Sequence, residues 1–230
     1  MYAKKIEQAR KDNPFLSYTN IIYDLVLDDI IWSRFEPGTL LRETILAEWC
    51  GVSRSPAKEA LNRLYEDGFL KKSDLPGYEI MPFDITDYSD YCEFRLAIEP
   101  QAAFFAARTA TEKEIKNLEN LIAEYKKSVS ENATLSTLHL LDFKFHQEII
   151  RMSGNRYFSK IYDHYEKKDQ YFRTVMCGDD INAHYILQKH IHIYKKIACH
   201  DEKGALEEMR AHLELNLRRG IDWLKRLREE

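Results

Sequence analysis

The chain has 230 residues, 44% hydrophobic and 31% charged, enough for one large domain or two modest ones and ordinary for a water-soluble globular protein. No apolar run approaches the roughly 20 residues of a membrane span. The first eight residues are polar with no signal-peptide core, and four scattered cysteines form no CxxC pair, so a reducing cytoplasm is expected. The net charge of −4 excludes generic nucleic-acid binding through bulk charge, and residues 1–83 hold 11 Lys and Arg against 13 Asp and Glu; any such contact needs a local basic patch.

The first predicted element is a helix over Tyr18–Arg34, with Ile21, Ile22, Leu25, Val26, Ile30 and Ile31 at helical spacing. Pro37-Gly38 ends it. A short helix over Arg42–Cys50 follows, then a turn at Gly51. Ser55 reads as an N-cap with Pro56 at the first helical position, opening a helix that stops at Gly68. Phe69–Lys72 and Tyr78–Met81 flank Asp74-Leu75-Pro76-Gly77 and read as a hairpin. Punctuation then thins out, with no proline after Pro100, so long helices are expected. They are placed at Asp84–Arg108, from a Thr111/Glu114 capping box onward, and at Leu135–Met152, Arg156–Cys177, Ile181–Cys199 and Asp201–Arg228. The domain boundary falls near Phe83-Asp84: a mainly α chain with domains 1–83 and 84–230.

Helix, short helix, tight turn, helix, hairpin is the order of a winged helix-turn-helix. In such a module the second helix of the pair enters the major groove and its N-terminal residues reach base edges. Those residues are Ser53, Arg54, Ser55, Lys58 and, further along, Asn62. Arginine can grip guanine in bidentate fashion, while serine and lysine can hold phosphates. Lys71 and Lys72 fall on the wing. Order alone also fits a protein-binding winged helix.

In the second part, Asp142 and His146 lie four apart beside an apolar stripe of Leu138, Leu141, Phe145, Ile149 and Met152, so both are expected to point inward. His190 shares a face with Ile186, Ile193 and Ile197, whereas His192 lies with Lys189 and Lys196. His212 follows Met209 and neighbours Leu213. A carboxylate and three imidazoles from three helices suit Zn²⁺, Ni²⁺ or another first-row ion. A histidine on an apolar face is also commonly a hydrogen-bonded core residue, and that alternative stays open here.

The run Pro37-Gly38-Thr39-Leu40, Glu43, Leu46-Ala47, Gly51-Val52-Ser53-Arg54-Ser55-Pro56-Ala57-Lys58-Glu59-Ala60-Leu61, Leu64, Asp67-Gly68-Phe69-Leu70, Gly77-Tyr78 resembles the GntR family of bacterial regulators. The resemblance implies DNA contact through Arg42, Thr44, Ser53, Arg54, Ser55, Lys58, Asn62, Lys71, Lys72 and Gly77. Lys58 and Thr44 stand where arginines are common in the family; Arg54 matches. From Asp84 to Arg228 the chain resembles the all-helical FCD effector domain of the FadR-type members, an antiparallel bundle. Glu93-Phe94-Arg95-Leu96-Ala97-Ile98-Glu99, Asp142-Phe143-Lys144-Phe145-His146, Ser153-Gly154-Asn155 and His190, Asp201, Ala205, Met209, His212-Leu213 carry it. It implies a divalent transition metal, Zn or Ni, held by Asp142, His146, His190 and His212. It also implies an effector cavity faced by Arg95, with Asn155 and Arg173 as further candidates. Tyr157, Tyr162, Phe172 and Tyr194 are candidate cavity walls. Arg95 could instead pair with Glu99 as a surface ion pair.

The expectation is a cytoplasmic homodimeric repressor that binds a near-palindromic double-stranded operator and senses a small organic acid, with no membrane partner. The rival readings are a metal-free acyl-CoA-type sensor, an architectural DNA binder with a structural metal, and a metal-dependent hydrolase. The hydrolase lacks a general base beyond the ligands and any nucleophile motif.

Overall fold

In the computed structural model, residues 2–32, 34–82, 84–176 and 182–229 are described, with the side chains of 173–176 and 223–229 left aside. They divide into two units, Met1–Phe83 and Asp84–Glu230.

The first unit runs α1 (Ala3–Asp12), α2 (Tyr18–Ile31), β1 (Leu40–Leu41), α3 (Glu43–Cys50), α4 (Arg54–Glu66), β2 (Leu70–Lys72) and β3 (Tyr78–Ile80). Ser17 opens α2 by accepting a hydrogen bond from the Asn20 amide at 3.2 Å. α3 ends at Gly51, whose φ of 67° is left-handed and whose N–H bonds back to the helix carbonyls; glycine takes that conformation without steric cost. α2, α3 and α4 close on Ile22, Val26, Leu27, Ile30, Leu46, Leu61 and Leu64, all buried. The antiparallel sheet has the order β1-β3-β2, with Leu40 opposite Glu79 and Lys71 opposite Glu79 on the other side.

Helix α2 ends at Ile31, short of the expected Arg34, and three further details differ from the sequence reading. Helix α4 starts at Arg54 with Ser53 at the cap position and no side-chain cap bond, so Ser55 and Pro56 sit inside the first turn. Proline is tolerated there because first-turn N–H groups have no intrahelical partner anyway. Strand β1 was not expected; it turns the hairpin into a three-stranded sheet. Nor was α1, a polar helix anchored by the burial of Tyr2 and Ile6 and by a 2.5 Å hydrogen bond from the Tyr2 hydroxyl to buried Asp29.

Among its described residues the regular structure of the second unit is all helix: α5 (Ile85–Thr109), α6 (Glu112–Ser130), α7 (Leu135–Met152), α8 (Arg156–Met176), α9 (Ala183–Ala198) and α10 (Glu202–Glu229). The expected ends at Cys177 and Ile181 lie outside the described residues. The Thr111/Glu114 capping box is present, with both reciprocal bonds formed. α5 packs along α10, and α7 packs against α5, α6 and α8. Ala103, Ala106 and Ala107 on α5 leave room for Phe145, Ile149, Ile193, Ile197, Met209 and Leu213 in one core. No described helix is long and apolar enough to cross a membrane.

Candidate metal centre and nucleic-acid interface

Helix α7 places Asp142 and His146 one turn apart, α9 supplies His190 and α10 supplies His212. All four are buried, and one ligand atom from each lies within 4.8 Å of the others. His190 Nε2 is 3.0 Å from Asp142 Oδ1, and His146 Nε2 is 3.9 Å from the same oxygen. His212 Nε2 is 3.3 Å from His146 Nε2. Ligands each about 2 Å from one ion stand roughly 3–4 Å apart, so the cluster has the size of a coordination shell. Its donors, three imidazoles and a carboxylate, are those of a first-row divalent ion. Aromatic packing fixes the rings: Phe145 stacks on His190 at 4.0 Å between centroids, and Tyr125 meets it edge-on. His192 is outside the cluster, about half exposed and 3.9 Å from Glu208.

Beside the cluster lies a buried ionic group that the sequence reading missed. Arg95 was weighed as a surface ion pair with Glu99; the pair forms but is buried, with side chains 7% and 1% exposed and Nε 2.5 Å from Glu99 Oε1. Arg95 Nη1 also lies 3.9 Å from Asp169 Oδ1, and the Tyr91 hydroxyl donates to Asp169. Glu99 Oε2 is 2.5 Å from His146 Nδ1. Burial alone would raise the Glu99 carboxyl, but the Arg95 guanidinium and the hydrogen bonds from His146 and Arg95 outweigh it and hold it well below the ordinary carboxylate range. For Asp169 burial wins over Arg95, pushing the carboxyl up to about 6. Burial works against the Arg95 guanidinium, but Glu99, Tyr91 and Asp169 together outweigh it and hold it charged, well above its ordinary range.

Asn155 lies at the start of α8, where its Oδ1 accepts from the Tyr157 and Phe158 amides; it acts there as a helix cap. The Arg173 side chain lies outside those described. Tyr162 is buried against Phe143, and its hydroxyl finds no partner among the described residues. Phe172 packs between Tyr88 and Tyr91, Tyr194 is half-buried, and Tyr157 is 63% exposed.

In the first unit, α4 turns Ala57, Ala60, Leu61 and Leu64 inward and leaves Ser53, Arg54, Ser55 and Lys58 exposed. Arg42 is exposed and Thr44 half-buried at the start of α3. Arg42, Arg54 and Lys58 form no ion pair among the described residues. Arg63, by contrast, is tied to Asn20 and stacked over Tyr23. Asn62 accepts a hydrogen bond from the Tyr78 hydroxyl, which links the helix to β3. Lys71 pairs with Glu79 at 3.1 Å, and Lys72 lies over the Tyr65 ring. Gly77 has φ of 135°, and a Cβ there would stand 2.6 Å from the Leu41 carbonyl, so the wing tip needs glycine.

Comparison with known proteins matches residues 90–215 to the FCD domain and residues 19–74 to the bacterial regulatory proteins of the gntR family. The chain is 28% identical over 207 residues to YdhC of Bacillus subtilis (strain 168), named an uncharacterized HTH-type transcriptional regulator, covering 90% of this chain and 92% of that one. It is 28% identical over 181 residues to the Nta operon transcriptional regulator of Aminobacter aminovorans, covering 79% and 84%. Among solved structures, E. coli McbR/YncC superposes with a TM-score of 0.72 at 16% identity, covering 90% of this chain and 99% of that one. A putative GntR regulator from Rhodococcus sp. RHA1 gives 0.72 at 20% identity over 90% and 99%. Both share the fold.

Proposed function

Since the chain belongs to the GntR family of bacterial regulators and carries an FCD domain, we propose that it is a cytoplasmic, homodimeric repressor released by a small organic acid bound beside a metal ion. Its identity as a DNA-binding transcriptional regulator, and not an enzyme, follows from the family; the dimer, the repression, the effector and the metal are our reading. The observation that carries it is the buried quartet Asp142, His146, His190 and His212, brought within 4.8 Å from three helices. A dry interior holds so many imidazoles and a carboxylate at one point at a cost, which coordination to a cation offsets.

In this reading the four residues hold Zn²⁺ or Ni²⁺, and the ion supplies Lewis-acid coordination for an effector carboxylate. Arg95 stands on the α5 side of the site. Asn155 and Arg173 remain candidate effector residues of the same domain. DNA is read by Arg54, Ser55, Lys58 and Asn62 of α4, with Ser53, Arg42, Thr44, Lys71, Lys72 and Gly77 around the backbone. The exposed cations supply a local positive patch that the acidic bulk of the protein does not. Domains 1–83 and 84–230 divide the two tasks.

A dimer with two-fold symmetry would present two equal recognition helices to the two half-sites of a near-palindromic operator. Tyr157, Ile161 and Tyr165, spaced four apart on α8, and Leu140 on α7 are exposed apolar side chains suited to a self-complementary face. An effector acts by binding one arrangement of the dimer better than another; release follows if the favoured one holds operator less tightly.

The test is metal content by elemental mass spectrometry on protein purified without added metal or a histidine tag. About one ion per chain is expected, lost in Asp142→Ala. No metal in either protein, even after incubation with Zn²⁺ or Ni²⁺, would overturn the metal reading and return the histidines to core residues.

A further inference from the structure

We propose that Glu99, clamped by Arg95, is the positioning residue of the metal centre, setting the tautomer and orientation of His146 before any ion arrives. The proposal rests on the reading of the quartet as a metal site. It assigns Arg95 to the support of that site.

The two oxygens of Glu99 face different ways. Oε1 takes the Arg95 Nε–H at 2.5 Å, and Oε2 lies 2.5 Å from His146 Nδ1. Arg95 Nη2 is a further 3.4 Å from Oε2. Glu99 is 1% exposed and His146 fully buried, so water does not compete for either. A guanidinium stays charged in proteins, and a carboxylate bonded to it is an acceptor only. His146 must therefore donate through Nδ1. In the neutral ring its lone pair is then on Nε2, which faces His212 Nε2 at 3.3 Å and Asp142 Oδ1 at 3.9 Å. A carboxylate on the far nitrogen of a ligating histidine also raises its basicity as a donor.

Arg95 is in turn steadied from the other side. Asp169 on α8 lies 3.9 Å from Nη1, and Tyr91, one turn before Arg95 on α5, donates its hydroxyl to Asp169. The chain Tyr91–Asp169–Arg95–Glu99–His146 thus runs from α5 through α8 back to α5 and on to α7. The guanidinium faces two carboxylates of its own protein. Its pairing accounts for a buried arginine in this domain without any effector.

The experiment uses full-length protein stripped of metal and titrated with Zn²⁺ against a chromophoric chelator. Glu99→Gln keeps the shape but loses the charge, and Zn²⁺ affinity is expected to fall about 10- to 100-fold. Arg95→Gln is expected to show a smaller fall, since the acceptor remains but is no longer clamped. Unchanged Zn²⁺ affinity in Glu99→Gln, with only a lower apoprotein Tm, would reduce Glu99 to a structural ion-pair partner and overturn the proposal. A second readout needs no variant. Long-range ¹H–¹⁵N correlation of the histidine rings in the wild-type apoprotein should show His146 protonated at Nδ1; protonation at Nε2 would overturn the proposal even if the variants fail to fold. Wild-type protein that binds no Zn²⁺ would remove the metal reading itself, an outcome distinct from equal binding by wild type and Glu99→Gln.

Discussion

The two units handle charge in opposite ways. Among the described residues of the first, Asp29 is the buried charged side chain, bonded by the Tyr2 hydroxyl and paired with Arg34; Arg42 and the cations of α4 and the wing stand in solvent. The second unit buries Arg95, Glu99, Asp142, His146, Asp169, His190 and His212. A surface that reads a polyanion works through side chains that water already solvates, and its core only has to hold them in register. A pocket for a small ion or metabolite works through groups withdrawn from water, where each interaction is stronger and each missing partner costlier. Perturbation should therefore affect stability in one unit through its apolar core and in the other through its charges.

The largest expected effect breaks the first unit through that core. Leu61→Ala, at a fully buried position between α2 and α4, should cost about 2–5 kcal/mol. Denaturant unfolding of the first unit would read it; a cost under about 1 kcal/mol would mean that this core closes over the gap. Next is a surface change with no stability cost. Arg54→Ala should leave Tm unchanged and weaken specific DNA binding by about 1–3 kcal/mol. An equal loss on operator and random DNA would assign Arg54 to phosphate contact alone. The smallest effect probes the buried charges. Asp169 is held at about 6 in the folded protein, above the ordinary carboxylate value near 4. A carboxyl raised by folding contributes stability below about pH 4 and loses it as pH rises through about 6. Asp169→Asn does not titrate, so the metal-free wild type should lose stability relative to this variant between about pH 4 and 7. A constant difference in Tm across that range would show that Asp169 stays ionised throughout.

Much of this contrast was legible in the sequence. The apolar stripe of α7 places Leu135–Met152 where the structure has it, because the helical period is unbroken there. That Asp142, His146, His190 and His212 turn inward was legible because each sits on or beside an apolar face; that they form one set was implied by the resemblance to the FCD domain. Glu99 and Asp169 were not. Glu99 is visible as an i+4 partner of Arg95, but whether such a pair is wet or dry depends on what α7 and α8 lay over it. Asp169 meets Arg95 across 74 positions of sequence, and no local pattern announces that contact. Helix α1 escaped notice because it has few apolar side chains, Ile6 being its buried residue. Strand β1 is two residues long, too short for alternation to register.

The hydrogen bond from Tyr78 to Asn62 joins the wing to α4, the proposed recognition helix. These two parts inherit each other's errors. Grafting a foreign α4 onto this scaffold to redirect it to another operator would sever the tie unless β3 were carried along. Drift in operator preference along this lineage is accordingly expected to proceed by paired changes in strand and helix, with the tyrosine hydroxyl as the constraint that couples them.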